Sequence, residues 1–367
     1  MLTGTLLGEN GWLAGELHID HARVAALRGE PVPAPLPGQP IIVPGFIDLH
    51  VHGGGGADCM EGGAALATMA RLHARHGTTA LLATTMTAPQ ADIENALRAI
   101  DQATRLPQAD GARVLGAHLE GPYINPAKLG AQPDAAVRAT LDELRHYLSL
   151  ATIRVATLAP ELDGHLGVIA FLAERGVRVQ TGHSLASYEQ ALAALEHGAG
   201  GFTHLYNAMS PLSHRAPGVV GAALAHAEYA EMIPDLTHVH PGALRVALRA
   251  IPRLYAVTDG TAACGMPDGD YRLGSQPVHK CLGAVRLADG TLAGSTLTMD
   301  QALRNLVGLG LDLAEAVQRL SRYPADYLGL DDRGRLAPGC FADCVVLDDA
   351  LTVRACLVEG RAVALDA

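Results

Sequence analysis

Residues 44–53 read Pro44-Gly45-Phe46-Ile47-Asp48-Leu49-His50-Val51-His52-Gly53. The run from Gly45 to His50 is short and mostly apolar, with Pro44 before it and the glycines Gly53–Gly56 soon after, which predicts a buried β-strand. Residues two apart on a strand share a face, so His50 and His52 project together at its C-terminal end. Two imidazoles placed that way suit a divalent metal; the bland alternative is two unrelated histidines. The glycine run lacks the Gly-Lys-Ser/Thr that grips phosphate and magnesium, so it reads as a loop that keeps backbone close to the site.

Downstream, short apolar runs alternate with Ala/Leu-rich stretches of helical length, the pattern of βα units around a parallel sheet. Strands are predicted at Gly45–His50, Thr78–Thr84, Arg113–Leu119, Thr152–Leu158, Val177–Gly182, Gly201–Leu205, Glu231–Asp235 and Leu254–Thr258. Helices are predicted at Ala64–His76, Ala91–Thr104, Leu166–Arg175, Ser187–His197 and Pro241–Ala250, with further helices near Met299–Gly308 and Leu313–Arg322. Eight strands over about 215 residues fit an α/β fold of the TIM (β/α)8 barrel type, typically ~250 residues. A hairpin is expected where Ala284–Leu287 and Thr291–Ala293 flank Asp289-Gly290, a favoured turn pair. Both chain ends read as short strands that are too few to form a core alone, so they are expected to join in one small sheet domain.

The 367 residues, 49% hydrophobic and 18% charged, suffice for one large domain with a small companion and a core that needs no staples. Asp+Glu (38) outnumber Lys+Arg (27), for a net charge of −11, which argues against a nonspecific nucleic-acid binder. No apolar run approaches the ~18–20 residues of a membrane span, and Met1 to Leu17 lacks the basic and apolar segments of a secretory leader. The six cysteines are scattered without a disulfide or zinc framework, which suits reduced thiols in a cytoplasmic protein.

Four more residues fall where predicted strands end: Glu120 in His118-Leu119-Glu120-Gly121-Pro122-Tyr123, His183 in Thr181-Gly182-His183-Ser184, His204 in Thr203-His204-Leu205-Tyr206-Asn207-Ala208, and Asp259 in Val257-Thr258-Asp259-Gly260. Singly, each has a structural reading, since a loop glutamate usually faces solvent and a lone histidine is more often structural than a ligand. Their coincidence with His50 and His52 carries the weight, because C-terminal strand ends in a barrel form one face, where active sites lie. Histidine and carboxylate ligands hold zinc-like metals with a position left open, which brings the pKa of water there towards ~7. A neighbouring aspartate can relay the proton to a leaving amine. Metal-assisted hydrolysis of an amide-type bond follows, and the absence of a Gly-x-Ser-x-Gly elbow disfavours covalent catalysis.

In order along the chain, PGFIDLHVHG, HLEGPY, TGHS, THLYNAMS, HVHP, VTDG and LAGSTLTM resemble the N-acetylglucosamine-6-phosphate deacetylase family of the amidohydrolase superfamily. The likeness runs from about Pro44 to Leu347; HLEGPY and THLYNAM are specific to the family, whereas the HxH element marks only the superfamily. The resemblance implies a TIM barrel over residues 44–334 and a small β-sandwich built from residues 1–43 and 335–367. It implies hydrolysis of N-acetyl-D-glucosamine 6-phosphate to D-glucosamine 6-phosphate and acetate. The N-acetylgalactosamine epimer, or another N-acyl or cyclic amide, stays open as the substrate. A non-catalytic scaffold is disfavoured, since no ligand or acid/base position is missing.

By motif match, Glu120, His183 and His204 would hold the main metal. His50 and His52 stand where some members have Gln and Asn and carry one metal, so a second metal bridged through Glu120 is implied. The metal would be zinc first, with iron, manganese or cobalt accepted by such ligands. Asp259 matches the general acid/base. Asn207, Ala208, Arg215 and His238 match substrate and phosphate contacts, to which Ala131, Leu292, Ala293 and Gly294 are added. A homodimer with a shared phosphate pocket is implied. Two positions depart from the pattern: Gln132 replaces a histidine that polarises the acetyl carbonyl in some relatives, and Leu236 replaces a usual glycine.

Overall fold

The computed structural model describes residues 1–365; the last two residues of the expected C-terminal segment, 366 and 367, lie outside them. Six parallel strands, Phe46–Val51, Thr78–Thr84, Arg113–Glu120, Ile153–Leu158, Arg178–Thr181 and Ala199–Phe202, pair in chain order. Tyr229–Met232 and Arg253–Ala256 form a further parallel pair. The ring closes because Leu205 N–H donates to Glu231 O and Asp259 N–H donates to His50 O, both at 2.9 Å, with a bridge between Val51 and Gly260. These are the eight strands of the expected barrel.

Phe46–Val51 and Thr78–Thr84 are buried along their whole length, as parallel strands covered on both faces must be. The helices on the outside follow apolar spacing and caps. Ala64–Arg75 buries Leu66, Met69, Ala70, Leu72, His73 and Ala74, and Tyr188–Glu196 opens on a capping box between Ser187 and Gln190, which satisfies two donors of the first turn.

Two barrel strands sit about two residues earlier than their sequence suggests. The sixth spans Ala199–Phe202 rather than Gly201–Leu205, because its two glycines weaken the strand signal while pairing with Val179–Thr181 fixes the register. The seventh spans Tyr229–Met232 rather than Glu231–Asp235, since Pro234 has no N–H to continue a ladder. The Asp289-Gly290 turn is present, with Leu287 N–H donating to Thr291 O and a bridge from Arg286 to Leu292. Its neighbour, the hairpin Gly269–Leu273/Gln276–Cys281, escaped the sequence reading, although Gly274-Ser275 between alternating apolar residues is its signal.

The chain ends meet in one seven-stranded sheet that holds Leu2–Gly8, Gly11–Asp20, Arg23–Val32, Ile41–Pro44, Cys344–Leu347, Val353–Val358 and Arg361–Ala362. Val24 N–H donates to Cys340 O and Ala342 N–H donates to Ala22 O, so the sheet folds back on itself around Leu6, Leu17, Val24, Ile42 and Cys344. No described helix is long and apolar enough to cross a membrane.

Candidate active site

All six strand-end residues converge at one mouth of the barrel. Glu120 Oε1 lies 3.1 Å from both His183 Nε2 and His204 Nε2, and those two nitrogens are 3.1 Å apart. Glu120 Oε2 faces the other pair, 3.5 Å from His50 Nε2 and 3.3 Å from His52 Nε2. The His50 and His52 Nε2 atoms are 3.2 Å apart, and Asp259 Oδ1 sits 3.5 and 3.3 Å from them. One carboxylate thus stands between two histidine pairs.

The donor chemistry tests whether a cation fits. His183 Nδ1 donates to Lys128 O at 2.8 Å, His52 Nδ1 to Thr84 O at 3.2 Å, and His50 Nδ1 to the Glu231 carboxylate at 2.9 Å. With Nδ1 carrying the proton, each Nε2 of a neutral ring offers a lone pair. The Nε2 lone pairs of His50, His52 and His183 then face the Glu120 and Asp259 oxygens with no proton of their own to share, and a positive charge resolves that crowding. Burial works against protonating His52, yet Asp259 and Glu120 hold its pKa up to about 9. His50 is raised well above its ordinary value in the same way, burial being outweighed by Glu120, Glu231 and Asp259. Two groups therefore fit a metal: Glu120/His183/His204, and His50/His52/Asp259 facing Glu120 Oε2.

His183 (φ 47°), His204 (φ 29°) and Asp259 (φ 49°) all take the left-handed backbone just past their strands. Such conformations cost non-glycine residues ~1–3 kcal/mol each and gather at functional sites. Burial raises the Asp259 pKa, but His50 and His52 pull it down to about 2, so the group is a carboxylate at neutral pH. Asp48 ties the first strand to the eighth, accepting from Thr258 Oγ1 at 2.6 Å and from His50 N–H at 3.2 Å.

The mouth opens into a cavity of about 390 Å³, within the usual size of small-molecule sites. His52, Glu120, His183, His204 and Asp259 lie along it, with Ala131, Gln132, Asn207, Ala208, His238, Leu292 and Gly294 from the expected substrate contacts. His50 lies behind His52, fully buried. Gly294 comes so close that a Cβ there would stand 2.9 Å from Asp259 O and 2.5 Å from Thr261 Cγ2, which only glycine permits. His238 Nδ1 donates to Asp235 Oδ2 at 2.7 Å; burial opposes its charge, and the carboxylate overcomes that and raises its pKa.

Two expected contacts stand elsewhere. Ala293 is buried, and its N–H donates to Val285 O. Arg215 is exposed on the 211–217 loop, is not among the residues lining the cavity, and has no hydrogen bond or ion pair to any described residue. Gln132 is buried against the bridging carboxylate: its Nε2 donates to Glu120 Oε2 and its Oε1 accepts from Thr87 N–H, both at 2.7 Å. Leu236 takes φ 65°, so the loop before His238 keeps a glycine-type turn with leucine in it. Lys128, Met86 and Leu273 also line the cavity, and nothing in their local sequence marks them.

The amidohydrolase family model matches residues 41–363. The chain is 42% identical over 366 residues to N-acetylgalactosamine-6-phosphate deacetylase of Escherichia coli O157:H7, covering 97% of each protein. It is 42% identical to N-acetylglucosamine-6-phosphate deacetylase of Vibrio furnissii, over 88% of this chain and 82% of that one. Among solved structures, a mutant of N-acetyl-D-glucosamine-6-phosphate deacetylase from Mycobacterium smegmatis, in complex with N-acetyl-D-glucosamine-6-phosphate, superposes with a TM-score of 0.92 at 36% identity, covering 99% of this chain and 98% of that one. The site geometry and these likenesses agree: the chain belongs to the amidohydrolase family, among its N-acetylhexosamine-6-phosphate deacetylases.

Proposed function

We propose that this enzyme hydrolyses the acetamide of N-acetyl-D-glucosamine 6-phosphate, giving D-glucosamine 6-phosphate and acetate. The observation that carries the reading is Glu120 set between two histidine pairs, with the Asp259 carboxylate beside them in the substrate-sized cavity. A second reading, the galactosamine epimer as substrate, is favoured by the N-acetylgalactosamine-6-phosphate deacetylase that matches this chain over 97% of its length.

Glu120, His183 and His204 would hold one divalent metal, and His50 and His52 a second; zinc is the proposed ion. When bound, the metal supplies Lewis-acid polarisation and lowers the pKa of water at its open position. Asp259 Oδ1 takes the proton from the attacking water and returns it to the departing amine nitrogen. Gln132 holds Glu120 Oε2 in place. His238, biased towards its cation by Asp235, faces the cavity that receives the phosphorylated sugar, where Asn207 and Ala208 present backbone.

Arg215 completes the phosphate site from a neighbouring subunit of a homodimer, in keeping with an exposed guanidinium that does not line its own cavity and has no partner among the described residues. Arg215→Ala should raise KM for the phosphorylated sugar roughly 10–100-fold, the worth of a hydrogen bond to a charged group, with kcat little changed. An unchanged KM removes Arg215 from the phosphate site. The barrel (44–334) and the two-ended sheet unit (1–43 and 335–367) are proposed as the domain division, and the cytoplasm as the location, in keeping with six unpaired cysteines.

The deciding experiment is acetate release from N-acetylglucosamine 6-phosphate, its galactosamine epimer and unphosphorylated N-acetylglucosamine, with a chelated sample alongside. Metal-dependent turnover confined to a phosphorylated sugar supports the function, and the ratio of kcat/KM values decides the epimer. No turnover of either phosphorylated sugar by metal-loaded protein discards it.

A further inference from the structure

Beneath the cavity lies a carboxylate that the reaction itself does not use. Glu231, on the seventh barrel strand, is fully buried. Its Oε2 accepts from His50 Nδ1 at 2.9 Å and from the backbone N–H of His204 at 3.1 Å. Its Oε1 lies 3.5 Å from the Tyr255 hydroxyl, which Gln180 Nε2 holds at 2.8 Å. An isolated buried carboxylate is costly unless it is paired and hydrogen-bonded, and both contacts of Oε2 here are to metal-facing histidines, one through its ring and one through its backbone.

His50, His118 and Glu231 also lie close enough together to suggest a metal group of their own. The hydrogen bonds exclude it: His118 Nδ1 is taken by Leu49 O at 3.0 Å and its Nε2 by Thr157 Oγ1 at 2.8 Å. His50 Nδ1 is likewise committed to Glu231, which leaves only its Nε2 free, and that atom faces His52 and Glu120 Oε2.

We propose that Glu231 is the positioning residue of the His50/His52 metal subsite: it holds the proton on His50 Nδ1 and turns Nε2 towards the metal. This rests on the two-metal reading above. A carboxylate behind a ligating imidazole fixes its tautomer and raises its basicity, and loss of such a partner typically costs ~10–100-fold in metal affinity.

The test is a Co²⁺ titration of metal-free protein, followed by its visible absorption, for wild type, His50→Asn, Glu231→Gln and Glu231→Leu. His50→Asn marks which equivalent belongs to the His50/His52 subsite. Glu231→Gln keeps an acceptor without the charge and Glu231→Leu keeps neither. Affinity for that equivalent should fall in steps, within about 10–100-fold, while the other equivalent binds as in wild type. Thermal unfolding of the metal-free proteins checks that each variant folds; if the leucine variant does not, the glutamine variant decides. Wild-type affinities in Glu231→Gln, or equal losses at both equivalents, overturn the positioning role. A wild-type protein that takes up only one equivalent overturns the two-metal reading instead, and Glu231's role with it.

Discussion

Asp259→Asn should lower kcat by about 10²–10⁴-fold, the usual worth of a positioned proton-transfer group, while the folded protein still takes up metal at Glu120, His183 and His204. The substitution isolates chemistry from conformation. Asp259 has φ 49°, a left-handed backbone that asparagine adopts more readily than most residues. Its backbone bonds, N–H to His50 O at 2.9 Å and the acceptance of Ser295 N–H at 2.8 Å, do not involve the side chain. The amide has nearly the carboxylate's shape, so the narrow approach of Gly294 is undisturbed. What is lost is the capacity to take a proton, because a carboxylate whose pKa is lowered to about 2 is ionised throughout the neutral range and an amide has no basic oxygen there. Metal analysis alongside steady-state kinetics reads both halves. Near-normal kcat would remove Asp259 from proton transfer, and loss of metal from the Glu120 group would make it structural.

The parts of this site that sequence reveals are those fixed by local rules. A parallel strand covered on both faces reads as a continuous apolar run, and a polar residue where such a run stops is conspicuous; His50, His52, Glu120, His183, His204 and Asp259 were all visible that way. Glu231 was not. It lies within a strand whose predicted frame was late, and its partner His50 is 181 residues away, a contact that only barrel closure creates. Gln132 was visible as a departure from a family pattern, but its contact with Glu120 depends on how the 126–132 segment folds over the mouth. Arg215 shows the opposite case: its motif is local, and its side chain is not among those lining the cavity. The Gly269–Leu273 hairpin carries a cavity-lining residue, Leu273, that no strand-end argument reaches.

Glu120→Gln should be the most damaging single change at the mouth, because one side chain serves both histidine pairs. Oε1 stands 3.1 Å from His183 and His204, and Oε2 faces His50 and His52 at 3.5 and 3.3 Å. Each other ligand belongs to one group only, so His50→Asn should empty one subsite and leave the second filled. Glu120→Gln removes the shared negative charge and places an amide NH₂, a donor, on one of the two sides; whichever way the amide turns, one histidine pair meets a group that cannot ligate. Gln132 Nε2, which donates to Oε2 at 2.7 Å, opposes a second NH₂ on its side and so biases the NH₂ towards His183 and His204. The Glu120/His183/His204 group should therefore lose metal first. The expected fall in affinity exceeds the ~10–100-fold attached to an outer partner such as Glu231, and turnover should fall below detection. Metal content after dialysis, measured beside His50→Asn, gives the comparison. Retention of metal at both subsites would show that Glu120 bridges neither, and loss confined to the His50/His52 side would place the essential charge on Oε2 alone.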